Sequence, residues 1–454
     1  MQTESPPSPN SRHSSGHSAR QSARRSFSVV LSSFAGTALE QYDFLLYGTA
    51  SALVFNKIFF PHLDPVAGTL ASLGTYAAGY FARGAGALLC GHLGDRIGRK
   101  ALLIATLLVM GVASTLVGLL PTYESIGIWA PVLLTVLRIV QGFAIGGEQS
   151  GAIVFGFESA PPRYEGVFAS LSNAGGYGGV VLSTLALLLV TQLPEAQFLA
   201  WGWRLPFIAS IVLVAIGLAC RLRLPETPAF ESMRSHGAIE RFPLAQLLRH
   251  HPREVFVVLM ARLGEISWSV FVLVFAVAYA TAHLKLPRPV ILTAVVCGAT
   301  VAMCMVPLTA ALSDRLGRKG FYVAGLLLSG AYVWPFLAIL ETRAPAGIVM
   351  AVVVALGVIH PLMYGPQGGL FASMYSARVR FSGVSVAAVG AVIGGGVSPV
   401  ICSALLNAHD GETSSVAIFV SALACVAALI VACVRVPRLT DRGKADEGDP
   451  SVLA

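Results

Sequence analysis

The chain has 454 residues, of which 55% are hydrophobic and only 12% charged, and its mean hydropathy is +0.72. A soluble domain carries about 25% charged residues to face water, so this composition excludes an ordinary soluble protein and calls for lipid as part of the solvent. The net charge of +8 would suggest nucleic acid in a soluble chain. In a membrane protein the same charge holds loops on the cytoplasmic side, so the expected partners are the bilayer and small solutes, with no nucleic acid.

In chain order, residues 1–26 are rich in Ser, Pro and Arg without an apolar core and read as a disordered cytoplasmic tail. Apolar runs long enough to cross a hydrocarbon core then recur from residue 28 to 434. The expected spans cover residues 28–55, 70–90, 101–120, 130–157, 166–191, 204–221, 254–281, 290–312, 320–340, 346–369, 381–406 and 414–434. The expected fold is therefore an all-α membrane protein of twelve transmembrane helices. Residues 27–221 form an N-terminal half of six helices and 254–435 a C-terminal half of six. A polar linker at 222–253 joins them, and 436–454 form a second cytoplasmic tail. The seven cysteines are scattered through apolar stretches without a CxxC pair, which indicates neither disulfides nor a metal site. No phosphate loop or nucleophile motif appears, so no cofactor and no enzyme activity are expected.

Counting Lys and Arg in alternate loops sets the orientation. With both termini cytoplasmic, 23 of the 31 basic residues fall in inside segments, Arg221 among them. Only Lys57, Lys285, Arg288 and Arg343 fall outside, while Arg83, Arg138, Arg204 and Arg262 lie within or at the edge of spans. An internal repeat accompanies this pattern. Gly91-His-Leu-Gly-Asp95-Arg96-Ile-Gly98-Arg99-Lys100 follows span two, and Ser313-Asp314-Arg315-Leu-Gly317-Arg318-Lys319 follows span eight. Each loop holds the same place in its half, which is the mark of a parallel repeat whose halves rock about a central site.

These paired loops resemble the signature of the major facilitator superfamily. Further motifs resemble its metabolite:proton symporter branch, which includes shikimate, citrate, α-ketoglutarate and proline/betaine carriers. They are Glu40-Gln-Tyr42-Asp43-Phe44, Arg138-Ile-Val-Gln141-Gly142 with Gly146-Gly147-Glu148, and Trp201-Gly-Trp203-Arg204-Leu-Pro206-Phe207. Pro225-Glu226-Thr227-Pro228 and Tyr364-Gly365-Pro366-Gln367 complete the set. Leu120-Pro-Thr-Tyr123 and Arg262-Leu-Gly264-Glu265 are similar to the shikimate-transporter-like group. The chain departs from the family pattern at Gly84, where Pro is usual, and at Ser373, where many relatives carry Glu. The resemblance implies a multi-pass protein of the bacterial inner membrane, working as a monomer, that imports a small organic acid or zwitterion together with a proton. A shikimate-like carboxylate is favoured. An uncoupled facilitator or exchanger is the alternative, and a membrane sensor a remote one, since tails and linker are too short for a signalling domain.

An ionisable side chain within a span costs about 2.5–3.5 kcal/mol on insertion scales, so its presence is a functional hypothesis. Glu40, Asp43 and Tyr47 lie on one face of span one; Arg138, Gln141 and Glu148 share a face of span four; Arg262 and Glu265 are neighbours in span seven. Three polar stripes that lipid cannot accept imply a shared central cavity. Proton coupling needs a carboxyl whose affinity for protons shifts with burial and neighbouring charge, and Asp43, Glu148 and Glu40 are the candidates. Arg138 and Arg262 can hold a carboxylate by charge-assisted bonds, with Gln141, Tyr47 and Glu265 as further candidate substrate contacts, and the resemblance together with their position adds Tyr364 and Gln367. The bland alternative is that Arg138–Glu148 and Arg262–Glu265 are structural pairs. In the repeated loops, Asp95 and Asp314 can accept hydrogen bonds from helix N-termini or nearby arginines and lock the cytoplasmic face. Arg96, Arg99, Arg315 and Arg318 share this gating role; the alternative is that Arg96, Arg99 and Lys100 serve only as positive-inside anchors. His360 is either a proton relay or a packing histidine, Gly175, Gly176, Gly178 and Gly179 are close-packing sites, and Glu158, Arg163 and Glu165 read as a solvated loop.

Overall fold

Without water to satisfy backbone N–H and C=O groups, a chain this apolar is restricted to elements that close their own hydrogen bonds. The computed structural model describes residues 9–434, and among them there are helices and no strand. The long helices are α1 (Pro9–Ala50), α2 (Pro65–Ile97), α3 (Arg99–Leu119), α4 (Trp129–Ser159), α5 (Glu165–Val190) and α6 (Arg204–Leu222). After the linker come α7 (Pro252–His283), α8 (Arg288–Leu316), α9 (Arg318–Glu341), α10 (Pro345–Ser373), α11 (Arg380–Ala408) and α12 (Ser414–Ala432). Ten helices among the described residues, α3 through α12, are long and apolar enough to cross a membrane.

Two sequence expectations change. The helical backbone of α1 begins at Pro9, so residues 9–26, expected to be disordered, continue the first helix; no proline follows Pro9 to interrupt its hydrogen bonds. The linker, expected only as a polar break, folds two short helices, Pro228–Ser235 and Pro243–His250, each with proline in its first turn. The expected tail 436–454 lies outside the described residues.

The packing repeats as the loops do. Within the first half, α2 and α3 pack on α4, and α1 packs on α5 and α6; within the second, α8 and α9 pack on α10, and α7 on α11 and α12. Between halves, α2 meets α11 and α5 meets α8. Exchanging the halves carries the first of these contacts onto the second, so the interface has the two-fold character of a parallel repeat. Small residues let the helices approach. A Cβ on Gly146 of α4 would strike the Arg83 carbonyl of α2, and one on Gly175 or Gly179 of α5 would strike α1 backbone at Phe34 or Ala38. Gly178 meets the Phe34 ring, whereas Gly176 has open contacts.

The Trp201–Phe207 motif fastens one end of the first half. Arg204 donates to the carbonyls of Gly118 (3.0 Å) and Leu120 (2.7 Å), the last acceptors of α3, and Trp203 lies among Phe55, Phe59 and Phe207.

Helix approach at Gly146 carries a direct expectation. Gly146→Leu lowers the melting temperature of the purified protein, with a stability loss of about 1–3 kcal/mol from overpacking. Gly74→Leu, where a Cβ meets nothing within 4 Å, leaves it unchanged. Equal melting temperatures for the two variants would contradict this packing.

Candidate functional site

Each half presents one buried arginine–carboxylate pair to the other. From the first half, Glu40 of α1 accepts from Arg83 of α2 at 2.7 Å, and the same Arg83 nitrogen donates to Gln149 Oε1 of α4 at 2.8 Å. From the second half, Arg262 and Glu265 pair across one turn of α7. Glu265 also engages His360 (2.6 Å) and Gln367 (3.0 Å), both on α10, and Arg262 donates to Gln367 Oε1 at 2.9 Å. Contacts join the halves at this level: Gln149 Nε2 donates to the Tyr364 hydroxyl at 3.0 Å, Asn173 Nδ2 of α5 donates to the Tyr364 carbonyl at 2.7 Å, and the Tyr177 hydroxyl of α5 meets His360 Nδ1 at 2.6 Å. The Tyr364 ring lies under the Arg262 guanidinium at 5.5 Å. Arg83 donates to Gln149, Gln149 donates to Tyr364, and the Tyr364 ring lies under Arg262, so both pairs belong to one site. A carboxylate ligand finds two guanidinium groups here, and both are already committed to protein carboxylates.

Two further clusters lie inside the first half. Asp43 accepts from Ser114 of α3; Ser114 accepts from Gln141 Nε2 at 2.6 Å, and Gln141 Oε1 accepts from Arg138 at 2.6 Å. The Arg138 guanidinium is enclosed by the rings of Tyr47 (4.3 Å), Tyr76 (4.9 Å) and Phe44 (5.1 Å), and Tyr47 is fixed by Thr75 at 2.7 Å. Arg138 is fully buried in this cage rather than open to the interface between halves. Glu148 points elsewhere. It is held by Arg221 of α6 through both oxygens, with Nη1 2.8 Å from Oε2, and by Thr106 of α3 at 3.0 Å. Of the two structural pairs that stood as the alternative reading, Arg138–Glu148 does not form: ten residues along one helix separate the two by about 15 Å. Arg221, counted in the sequence as a loop residue, is buried. The expected central gathering of three stripes is thus divided: Glu40, Arg262, Glu265, Tyr364 and Gln367 share the interface, Asp43, Tyr47, Arg138 and Gln141 form a second cluster, and Glu148 a third.

The repeated loops build two matching locks at one end of the bundle. The Asp95 carboxylate accepts from the backbone N–H groups of Phe381 (3.2 Å) and Ser382 (2.9 Å) and from the Ser382 hydroxyl (2.9 Å), at the N-terminus of α11. The Asp314 carboxylate accepts from the N–H groups of Gly166 (3.0 Å) and Val167 (3.2 Å), at the N-terminus of α5. Each aspartate therefore caps a helix of the opposite half, where the helix dipole favours negative charge. Arg99 holds Asp95 at 3.0 Å and Arg318 holds Asp314 at 2.6 Å. Both loops turn through a glycine at matching left-handed geometry, Gly98 at φ 112° and Gly317 at φ 114°, which a side chain would strain.

The surroundings extend these locks beyond the sequence expectation. The Glu158 side chain, read as solvated, is fully buried between Arg99 (3.2 Å) and Arg380 (3.0 Å) and accepts from Thr227 at 2.7 Å. Glu165 pairs with Arg318 at 3.1 Å. Glu226 caps the N-terminus of α3 through Lys100 N–H at 3.1 Å, which ties the Pro225–Pro228 motif to the same end. Arg96 and Arg315 are exposed and outside both locks.

Arg83, Gln149, Tyr177 and Arg221 were missed as site residues. For Arg83 and Arg221 a signal existed, a basic residue beside an apolar span. For Gln149 and Tyr177 none did, because they are uncharged and their partners, Arg83 and Tyr364 for the one and His360 for the other, lie on other helices. If the locks govern rocking rather than binding, Asp95→Asn slows transport about tenfold or more, the factor carried by a charge-assisted bond, with apparent affinity nearly unchanged. Initial-rate kinetics in proteoliposomes read this, and an equal loss of rate and affinity would contradict it.

Comparison with known proteins agrees with this architecture. Residues 28–241 match the family model described as sugar (and other) transporter, and residues 259–453 the one described as Major Facilitator Superfamily. The shikimate transporter of Escherichia coli is 38% identical over 90% of this chain and 94% of its own. The inner membrane metabolite transport protein YhjE of the same organism is 36% identical over 87% and 91%. The proline/betaine transporter of Salmonella typhimurium is 30% identical over 83% and 77%. Among solved structures, the proton:xylose symporter XylE bound to 6-bromo-6-deoxy-D-glucose superposes with TM-score 0.76 at 16% identity, over 92% of this chain and 97% of that one. The chain belongs to the major facilitator superfamily, as a multi-pass inner-membrane transporter of the shikimate-transporter group.

Proposed function

We propose that the protein is a proton-coupled symporter that imports a small organic acid by alternating access, with a shikimate-like carboxylate favoured. In this reading twelve helices span the membrane, both termini and both locks face the cytoplasm, and one chain is the working unit. The observation that carries it is the facing of two buried ion pairs, Glu40–Arg83 and Arg262–Glu265, across the plane between the halves. Unpaired charges there would cost several kcal/mol, and paired ones persist at little net gain over apolar residues. Their retention is explained if one arginine exchanges a protein carboxylate for a substrate carboxylate. The similarity to the shikimate transporter supports the substrate class, and the similarity to proline/betaine carriers keeps a zwitterion as the second ligand chemistry.

In this reading the residues divide the work between proton, substrate and gate. Glu40 and Asp43 of α1 carry protons. Arg262, Tyr364, Gln367 and Glu265 contact substrate, and Arg138 with Gln141 and Tyr47 sets the charge balance around Asp43. Glu148, engaged by Arg221, supports the helix packing around α1. Asp95, Arg99, Asp314 and Arg318 hold the cytoplasmic side shut while the site faces outward.

The test is uptake of radiolabelled shikimate, citrate, α-ketoglutarate, proline, betaine and simple aromatic acids into proteoliposomes under an imposed inward proton gradient. Accumulation of an organic acid that collapses with a protonophore supports symport. Equilibration regardless of the gradient favours the facilitator reading. Asp43→Asn is expected to abolish accumulation while leaving substrate exchange, and unchanged accumulation would remove Asp43 from the coupling role.

A further inference from the structure

We propose that Arg83 is the residue that takes the substrate's carboxylate, and that protonation of Glu40 is the event that releases Arg83 to do so. This inference rests on the symport reading above and supplies the step that links proton to substrate. Arg83 reaches the interface between halves because Gly146 lets the α2 backbone lie against α4. Its side chain is about 10% exposed, whereas that of Glu40 is almost completely enclosed. Among the described residues its hydrogen bonds go to Glu40 and Gln149 alone, and both come from the same nitrogen, Nη2. The remaining guanidinium N–H groups are therefore left for a ligand, in a fork suited to a carboxylate.

Glu40 is built asymmetrically. Oε1 receives Arg83, while Oε2 is buried without a hydrogen-bond partner. A buried carboxylate oxygen with no donor is costly, and it is the atom where an added proton replaces a missing partner. The other charges acting on Glu40 are Glu148 of α4 and Arg262 of α7. Glu148 is matched by Arg221 and Arg262 by Glu265, so Arg83 is the cation that Glu40 itself commands. Tyr364 of α10 faces the same group.

The exchange balances in charge. A proton from outside binds Glu40 Oε2 and forms an O–H bond, leaving the carboxyl neutral and the Arg83 ion pair broken. The substrate carboxylate then pairs with Arg83, and Gln149 Nε2, bonded to the Tyr364 hydroxyl, carries the change to α10 of the other half. Once the site opens inward, the proton leaves Glu40, its carboxylate returns to Arg83, and the substrate is displaced. Proton and substrate enter together because neither satisfies Arg83 without the other.

Binding of shikimate to the purified protein across a pH series tests this, using wild type, Glu40→Gln and Arg83→Lys. Wild-type affinity should rise as pH falls, up to about tenfold per unit where Glu40 is ionised. Glu40→Gln, which mimics the protonated acid, should bind at the low-pH affinity throughout, keep shikimate exchange and lose proton-driven accumulation. Arg83→Lys should bind roughly ten- to a hundredfold more weakly at every pH, as expected for loss of a forked charge-assisted contact. Glu40→Gln with wild-type pH dependence, or Arg83→Lys with wild-type affinity, overturns the exchange. Wild type that neither binds nor accumulates any carboxylate of the panel removes the symport reading itself, and this inference with it.

Discussion

A charge inside a bilayer cannot be left to water, and this constraint organises the protein. Glu40, Asp43, Arg83, Arg138, Glu148, Arg221, Arg262 and Glu265 are all buried in helices whose other faces meet lipid or apolar side chains. Each finds its partner on another helix or one turn away, so the charges dictate which helices pack together and in what register. The Glu148–Arg221–Thr106 cluster binds α4, α6 and α3; the Asp43–Ser114–Gln141–Arg138 chain binds α1, α3 and α4. These are fixed within one half. The Glu40–Arg83 and Arg262–Glu265 pairs also stay within their halves, but beside them Gln149–Tyr364, Tyr177–His360 and Asn173 with the Tyr364 carbonyl cross from one half to the other.

The locks obey the same rule at the bundle's end, with helix termini in place of side-chain cations. Asp95 and Asp314 each reach into the other half and satisfy orphan N–H groups there. Arg99 and Arg318 neutralise them, and Glu158 and Glu165 neutralise the arginines in turn. Under the proposed alternating access, opening that end would break both caps together, because the repeat places equivalent bonds on either side of the two-fold relation. Close helix contacts at Gly146, Gly175 and Gly179 in the first half, and at Gly365 and Gly390 in the second, pack the helices of each half tightly.

Much of this was legible in the chain. Apolar run length marked the helices, the doubled Asp-Arg-x-Gly-Arg-Lys loop marked the repeat, and i, i+3 spacing marked Arg262–Glu265. What failed was partner choice between helices. Spacing says which residues share a face but not which helix that face meets, so Arg138 was set beside Glu148, though one helix holds them about 15 Å apart. Arg221 was counted with the loop because it closes an apolar run, and Glu158 was read as solvated because its partners Arg380 and Thr227 are distant in sequence. Gln149 and Tyr177 carry no charge and stand in apolar or glycine-rich stretches, where only the packing against other helices reveals their role. The helix at 9–26 also escaped, since a Ser- and Arg-rich segment has no apolar period to read.

The central claim is that buried carboxylates at the interface are kept to move protons with the substrate. The most direct measurement is external pH in a weakly buffered suspension of proteoliposomes as shikimate is added with no imposed gradient. The account predicts prompt alkalinisation that follows shikimate uptake in fixed ratio and vanishes when a protonophore is present together with valinomycin and potassium, which carry the compensating charge. Shikimate entry with no proton movement would contradict it, and would leave the ion pairs as supports of the fold alone.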